Sequence, residues 1–231
     1  DQAKAFASTQ ARQLYRLEID ALSEVKRFLG GVPVYEHWLK LQKGCGPTMA
    51  AVLITRFDPY RSHDLALANG KQAASVSQWW RLAGLDVNEK GTAVRRERGQ
   101  KAKYDPWLRA KLVKVLAECL IKANSPWREL YDRYKARKTA ERVPVCRLCL
   151  GTGVAKVETR KGLVDKGRCW NCDGGTIRPA PWGKGDAHRH MAAKRYMVKM
   201  FLLGLYKAWY PLEGLPLRPS YHEEKQGGQS P

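Results

Sequence analysis

The chain has 231 residues and carries 42 lysines and arginines against 22 aspartates and glutamates, a formal net charge of +20. This charge exceeds what solubility requires and is typical of a protein that binds a polyanion, so nucleic acid is the expected partner. A membrane is the rival partner, but the longest apolar run, residues 197–206, contains Lys199 and is shorter than the roughly 20 residues that cross a bilayer. A hydrophobic content of 44% is enough for a folded core, which excludes a purely basic tail.

The first predicted element is a long amphipathic helix over residues 3–29. Its apolar residues, including Leu14 and Leu17, recur at helical spacing, and Gly30-Gly31 marks its end. The heptad pattern is imperfect. Pairing with a second copy in a coiled-coil homodimer and packing on the helix's own domain are therefore both open.

A helix-hairpin-helix element is predicted next. A short helix over residues 34–43 leads into Lys43-Gly-Cys-Gly-Pro-Thr48, and an apolar helix covers residues 49–54. The glycines allow a tight turn, Pro47 suits the first position of the second helix, and the free N–H groups there suit a phosphate. The predicted nucleic-acid contacts are Lys43, Gly44, Gly46 and Thr48. An ordinary capped turn is the alternative.

The middle of the chain combines helices with a strongly basic segment. A helix over residues 76–83 precedes residues 89–103, a polar run that is usually a solvated loop but, in so basic a chain, is expected to order on a nucleic-acid backbone. The predicted contacts in this run are Lys90, Arg95, Arg96, Arg98, Lys101 and Lys103. Further helices are predicted over residues 107–123, 127–137 and 186–210. The apolar face of helix 107–123 is expected to consist of Leu108, Leu112, Val115, Leu116, Cys119 and Leu120.

Four cysteines have the spacing of a metal site. Cys146, Cys149, Cys169 and Cys172 form a C-x2-C-x19-C-x2-C pattern, and two such pairs complete the four-sulfur shell that structural Zn²⁺ prefers. Two disulfides are the alternative. The unpaired Cys45 and Cys119 and the lack of an N-terminal secretory segment favour a reducing compartment, the cytoplasm of a bacterial or phage-infected cell.

The cysteine module is expected to enclose a small β-hairpin over residues 154–162. Basic side chains of this insert are further candidate contacts with nucleic acid, namely Lys156, Arg160 and Lys161. The C-x-x-C-x-G-x-G pattern of the first cysteine pair resembles the zinc modules of J-domain co-chaperones and lambdoid antiterminators over about 30 residues; the second pair departs from it at Thr176.

The expected fold is mainly α, a helical domain with a helix-hairpin-helix element, a long N-terminal helix and an inserted β-hairpin zinc module. The predicted divisions are residues 1–30 for the long helix, 31–142 for the nucleic-acid-binding domain, 143–180 for the zinc module, 181–210 for the closing helix and 211–231 for a disordered tail.

The order of these parts resembles the C-terminal transposase domain of the bridge-RNA-guided insertion-sequence recombinases, over about residues 10–210. The resemblance rests on Lys43-Gly-Cys-Gly-Pro-Thr-Met-Ala-Ala-Val-Leu-Ile54, Trp80-Arg-Leu-Ala-Gly-Leu85, the basic loop, Leu108-Arg-Ala-Lys-Leu112, Asn124-Ser-Pro126 with Tyr131-Asp-Arg-Tyr134, and Ala192-Ala-Lys-Arg195. It implies DNA cutting and rejoining by a serine shortly after Ala-Gly-Leu, together with acidic metal ligands from a separate N-terminal half. This chain has no serine between Ser77 and Ser125. The nearest hydroxyl is Thr92, which has no evident activating base.

Three functions are therefore considered. The favoured one is a non-catalytic, transposase-derived protein of a phage or mobile element that binds the backbone of duplex DNA, with RNA left open. The second is a recombinase that uses Thr92, or one subunit of a split recombinase. The third is a phage regulator similar in role to the lambdoid antiterminators, which would bind RNA polymerase and DNA together.

Overall fold

The fold is given by a computed structural model that describes residues 2–70, 74–87, 93–94, 99–140, 149, 152–159, 162–169, 172 and 184–219. The chain divides into two compact units. Unit 1 comprises Asp1–Arg128 and Met197–Pro231, and unit 2 comprises Glu129–Tyr196. The described residues are mainly helical with one small hairpin, which confirms the predicted fold class.

The α-helices of the described residues are α1 (Gln2–Leu29), α2 (Pro33–His37), α3 (Pro47–Arg56), α4 (Pro59–Ala68), α5 (Val76–Leu82), α6 (Pro106–Ala110), α7 (Ala117–Lys122), α8 (Pro126–Ala140) and α9 (Lys184–Leu212). A 3₁₀ turn, Leu39–Leu41, follows α2, and a π-helical segment, Lys111–Leu116, joins α6 to α7. Strands β1 (Val154–Thr159) and β2 (Gly162–Arg168) pair antiparallel. Helix α4 was not predicted, although Asp58 caps its N-terminus and Pro59 occupies its first turn, a recognisable start signal.

Helix α1 exposes much of its apolar surface. Leu14, Tyr15 and Leu17 are 64–66% exposed, whereas Leu29, at the C-terminal end, is buried and the helix contacts α3. Packing on its own domain is therefore observed at that end. The coiled-coil homodimer remains a prediction.

The core of unit 1 is organised around Trp79, which is 1% exposed. Its ring meets Phe57 at 5.0 Å, between α3 and α4, and Tyr206 at 5.7 Å and Tyr210 at 5.8 Å, both on α9. Each such aromatic pair stabilises the fold by about 0.5–1.5 kcal/mol beyond the area it buries. One side chain thus fixes the ends of several helices.

A second aromatic group fills the space beside α9. Trp38 and Trp127 pack against Phe201 at 5.2 and 5.3 Å. A Cβ on Gly204 would lie 2.9 Å from Trp127 and 3.1 Å from Trp38, so glycine at this position makes room for both indole rings.

No helix in the described part of the chain is long and apolar enough to cross a membrane.

The predicted helix over residues 107–123 forms, but its buried face differs from the prediction. Val115 is 42% exposed and Cys119 is also exposed, whereas Val113 and Ala117 are buried. The π-helical segment explains the difference, because its i→i+5 hydrogen bonds change the number of residues per turn and rotate the stripe that faces the core.

The start of the predicted disordered tail is ordered. Pro211 and Leu212 belong to α9, and the N–H of Arg218 donates to the hydroxyl of Tyr206 at 2.9 Å. The indole N–H of Trp209 also donates to Glu213 at 2.9 Å. These contacts order the start of the segment, although its proline and glycine content predicted disorder. Residues 220–231 lie outside the described residues.

Unit 2 joins the ends of two helices through aromatic contacts. The hydroxyl of Tyr131 on α8 lies 2.6 Å from Nδ1 of His190 on α9. Tyr134 stacks on Tyr196 with ring centroids 4.5 Å apart. The same unit contains the β-hairpin and its flanking cysteines.

Candidate metal centre and nucleic-acid surface

Three of the four predicted metal ligands converge. The Sγ atoms of Cys149, Cys169 and Cys172 all lie within 4.8 Å of one another, and those of Cys149 and Cys172 are 3.5 Å apart. Sulfurs on the corners of a tetrahedral Zn²⁺ shell would be about 3.8 Å apart, given Zn–S bonds of about 2.3 Å. A disulfide bond needs about 2.05 Å and joins only two sulfurs. The arrangement therefore fits a metal ion. Cys146, the fourth predicted ligand, lies outside the described residues.

The hairpin register brings Cys169 close to the turn that follows Cys149. Val154, at the start of β1, pairs with Arg168, which directly precedes Cys169. The N–H of Cys169 donates to the carbonyl of Gly153 at 2.8 Å, and this connects the second cysteine pair to the turn that follows the first. Gly153 has φ +75°, a conformation that glycine adopts without strain.

A hydrogen-bonded turn supports the first cysteine pair. The N–H of Thr152 donates to the carbonyl of Cys149 at 2.9 Å, and its hydroxyl donates to the same oxygen at 2.7 Å. Cys149 and Cys169 are 3% and 2% exposed, so two of the sulfurs are shielded from water. A buried, supported cluster is typical of a structural metal site rather than a catalytic one.

The turn at residues 43–46 lies between the 3₁₀ turn and α3, but the helix predicted over residues 34–43 is not continuous, because α2 ends at His37 and only the 3₁₀ turn Leu39–Leu41 follows it. Gly44 has φ +89°, and a Cβ on it would lie 2.6 Å from the carbonyl oxygen of Cys119. Glycine is therefore needed there both for its backbone conformation and for close approach to α7. Its role is structural.

Cys45 takes no part in the metal cluster. Burial raises the pKa of its thiol to about 12, and the neighbouring Cys119 adds to the shift. The thiol stays protonated at neutral pH and behaves as a small apolar side chain.

Gly46 differs from Gly44 in backbone conformation, in exposure and in the space around it. It has φ −70°, it is exposed, and a Cβ on it would meet no atom within 4 Å. It occupies the N-cap of α3 without any side-chain cap, whereas Asp58 and Asp105 cap α4 and α6. The first N–H groups of a helix lack intrahelical partners, but Pro47 at the first position of α3 has no N–H and that of Ala50 donates to the carbonyl of Gly46, so the N-terminus presents the N–H groups of Thr48 and Met49 and a partial positive charge.

The other predicted contacts are distributed over both units. Lys43 is exposed before α3, and Lys101 and Lys103 are exposed before α6, all in unit 1. Lys156 lies in β1 of unit 2. The remaining predicted contacts and the candidate hydroxyl fall outside the described residues, namely Lys90, Thr92, Arg95, Arg96, Arg98, Arg160 and Lys161.

Two contacts hold the described residues Ala93 and Val94 within the basic loop. Val87 and Ala93 form an isolated antiparallel bridge, and the guanidinium of Arg109 donates to the carbonyl of Val94 at 2.8 Å. A salt bridge of 3.5 Å joins Arg56, the last residue of α3, to Asp105. The end of the basic loop therefore lies near the C-terminal end of α3, about 15 Å from the turn at its N-terminus, given a rise of about 1.5 Å per residue.

Sequence reasoning missed an exposed aromatic residue among these cations. Trp107 is 45% exposed and has the side chains of Arg56 and Lys111 over its ring, at 4.8 and 5.5 Å. The sequence Trp107-Leu-Arg-Ala-Lys111 carried the signal, but Arg56 is distant in sequence and only folding brings it there.

No protein-family model matches the chain, and no curated protein or solved structure is detectably similar to it. The resemblance to the recombinases therefore remains a prediction that rests on the quoted motifs.

The contrast between the two glycines of the turn predicts unequal effects on stability. Gly44→Ala should lower the free energy of unfolding by about 2–4 kcal/mol, because it forces a side chain into a positive-φ conformation and against the backbone of α7. Gly46→Ala should change it by no more than about 1 kcal/mol, since both conformation and space allow a methyl group. Urea denaturation of the two variants checks this. Equal losses would contradict the structural role assigned to Gly44.

Proposed function

We propose that this protein binds nucleic acid without catalysis and holds the backbone of duplex DNA, using the turn before α3, the basic loop and the metal module. The observation that carries the proposal is the N-terminus of α3, which is exposed and uncapped beside Lys43 in a chain of net charge +20. Backbone N–H groups at a helix start, with a lysine beside them, are a suitable site for a phosphate. They recognise the backbone rather than a base sequence.

The open N-cap supports this function because glycine has no side chain to occupy the N–H groups. Aspartate, asparagine or serine at an N-cap would accept from these groups, whereas glycine leaves them without a side-chain partner at a cost of only about a few tenths of a kcal/mol, and neither space nor φ requires glycine at Gly46. An open cap leaves the N–H groups free for an external acceptor. By contrast, Gly44 is explained by packing alone.

We also propose that the cysteine cluster holds one structural Zn²⁺, with Cys146 as the fourth ligand beside Cys149, Cys169 and Cys172. Buried thiolates are soft ligands that suit zinc, and a complete four-sulfur shell leaves no position for a reacting water. The ion would hold unit 2 together and present the basic residues of the hairpin. A transposase origin in a phage or mobile element rests on the order of motifs, and the absence of the expected serine favours a binding role.

The charge predicts a strong salt dependence of DNA binding. We expect the logarithm of the association constant to fall linearly with the logarithm of salt concentration, by about 0.9 for each phosphate neutralised, with little preference among duplex sequences. Fluorescence anisotropy with two unrelated duplexes measures both properties. A flat response to salt would indicate a protein partner instead.

The open cap predicts a graded effect of substitutions at Gly46. Gly46→Asp should weaken duplex binding by about 1–3 kcal/mol, because its carboxylate occupies the N–H groups and repels phosphate. Gly46→Asn, which caps the helix without charge, should weaken it less, and Gly46→Ala, which leaves the donors free, should bind like the parent. Lys43→Ala should also have a smaller effect than Gly46→Asp.

All four variants are to be compared at equal helical content and after a melting curve, since aspartate and asparagine should slightly stabilise α3. If folded Gly46→Asp protein binds DNA as tightly as the parent, the turn is not the contact and the basic loop becomes the principal one.

The metal proposal predicts that the purified protein contains one zinc ion and that Cys149→Ser loses it. Because a structural metal stabilises the residues around it, the substitution should remove hydrogen-exchange protection from residues 144–178 and leave the helices of unit 1 protected. Elemental analysis and hydrogen exchange measure the two effects. Cys119→Ser, which removes an exposed thiol outside the cluster, is the control that should keep the metal. Absence of zinc from the parent, or two disulfides by mass spectrometry, would refute the proposal.

A further inference from the structure

Trp107 is the only exposed tryptophan among the residues that the structure describes. It is 45% exposed, whereas Trp79, Trp80 and Trp209 are at most 6% exposed. An exposed indole forgoes the apolar burial that tryptophan usually gains in a core. Its position therefore needs an explanation other than packing.

The ring is surrounded by positive charge. Arg56 and Lys111 both lie over Trp107. The described carboxylate that pairs with these two cations is Asp105, 3.5 Å from Arg56. Two cations beside one carboxylate leave a net positive charge, which a bound anion would neutralise.

The residues just before Trp107 are fixed by backbone contacts, while its own side chain is 45% exposed. Tyr104 packs so closely on the turn that follows α5 that a Cβ on Gly84 would lie 2.6 Å from its ring. The N–H of Asp105 donates to the carbonyl of Leu82 at 2.9 Å, and its carboxylate caps α6 by accepting from the N–H of Leu108 at 3.0 Å. A ring on so fixed a support loses little entropy when a ligand stacks on it.

We propose that Trp107, Arg56 and Lys111 form a stacking platform for an unpaired base of a nucleic acid, with the cations meeting its flanking phosphates. Aromatic rings and guanidinium planes stack on any base, and they do so only where the base is not already covered by its neighbours in a duplex. This inference rests on the proposed function and makes it more specific.

The length of α3 sets the distance between the platform and the proposed duplex contact. The turn at the start of α3 and Arg56 at its end are separated by ten residues of helix, about 15 Å or roughly four base pairs along a duplex. One nucleic acid could therefore place its duplex backbone at the start of α3 and an unpaired strand at the end of α3. The preferred ligand is therefore a junction between double-stranded and single-stranded nucleic acid.

The test compares a blunt DNA duplex with the same duplex carrying an oligothymidine overhang, by fluorescence anisotropy with the full chain. The parent should bind the overhang probe more tightly, and Trp107→Ala should reduce that advantage by roughly five- to a hundredfold while binding the blunt duplex unchanged. Trp107→Tyr should retain most of the advantage, because it keeps an aromatic face. Phe28 is a matched control, since it is 69% exposed with Arg27 over its ring at 4.9 Å, and Phe28→Ala should change neither probe.

The outcomes separate the inference from the proposed function. If the folded parent binds neither probe at low salt, the nucleic-acid function itself fails. If the parent binds the blunt and overhang probes with equal affinity, and Trp107→Ala does the same, the protein binds duplex backbone and the platform is refuted. Equal weakening of both probes by Trp107→Ala would also refute it, because Trp107 would then contact the duplex rather than an unpaired base.

Discussion

The packing of aromatic side chains around Trp79 is the interaction on which unit 1 depends. Trp79 lies on α5, and its neighbours Phe57, Tyr206 and Tyr210 come from the end of α3 and from α9. Protein interiors are close-packed, so a shift of one core side chain displaces the helices around it. The position of α3, and with it both ends of the candidate nucleic-acid surface, is therefore set by a core that carries no charge.

A core of this kind allows the surface to hold an excess of positive charge. Like charges on a folded surface destabilise the compact state, and the cost must be offset by apolar burial. In unit 1 the offset comes from large aromatic rings, of which Trp79 and Tyr206 are at most 1% exposed. A cation such as Lys111 can then rest on the exposed ring of Trp107. Bound nucleic acid would supply the missing negative charge.

Unit 2 depends on a different constraint. Its cysteines are far apart in sequence, and a two-stranded hairpin alone is marginally stable in water. Pairing of Val154 with Arg168 places the cysteines together, and a bound ion would in turn hold the open end of the hairpin. A metal ion bound by these cysteines and the hairpin would therefore stabilise each other.

Local patterns in the sequence indicated most of the helices, the first strand of the hairpin and the convergence of Cys149, Cys169 and Cys172, but not α4 or the extension of the hairpin to Arg168. Pro47 after glycine marks the start of α3, and the C-x-x-C spacing by itself implies converging sulfurs, because both signals act within a few residues. The buried face of residues 107–123 was not predictable in the same way, since the π-helical segment rotates Val115 outward. Only tertiary structure showed that Gly44 is needed for packing against α7 while Gly46 is not, and that Arg56 meets Trp107. These contacts join residues remote in sequence, whose proximity is decided by how helices pack and leaves no local pattern.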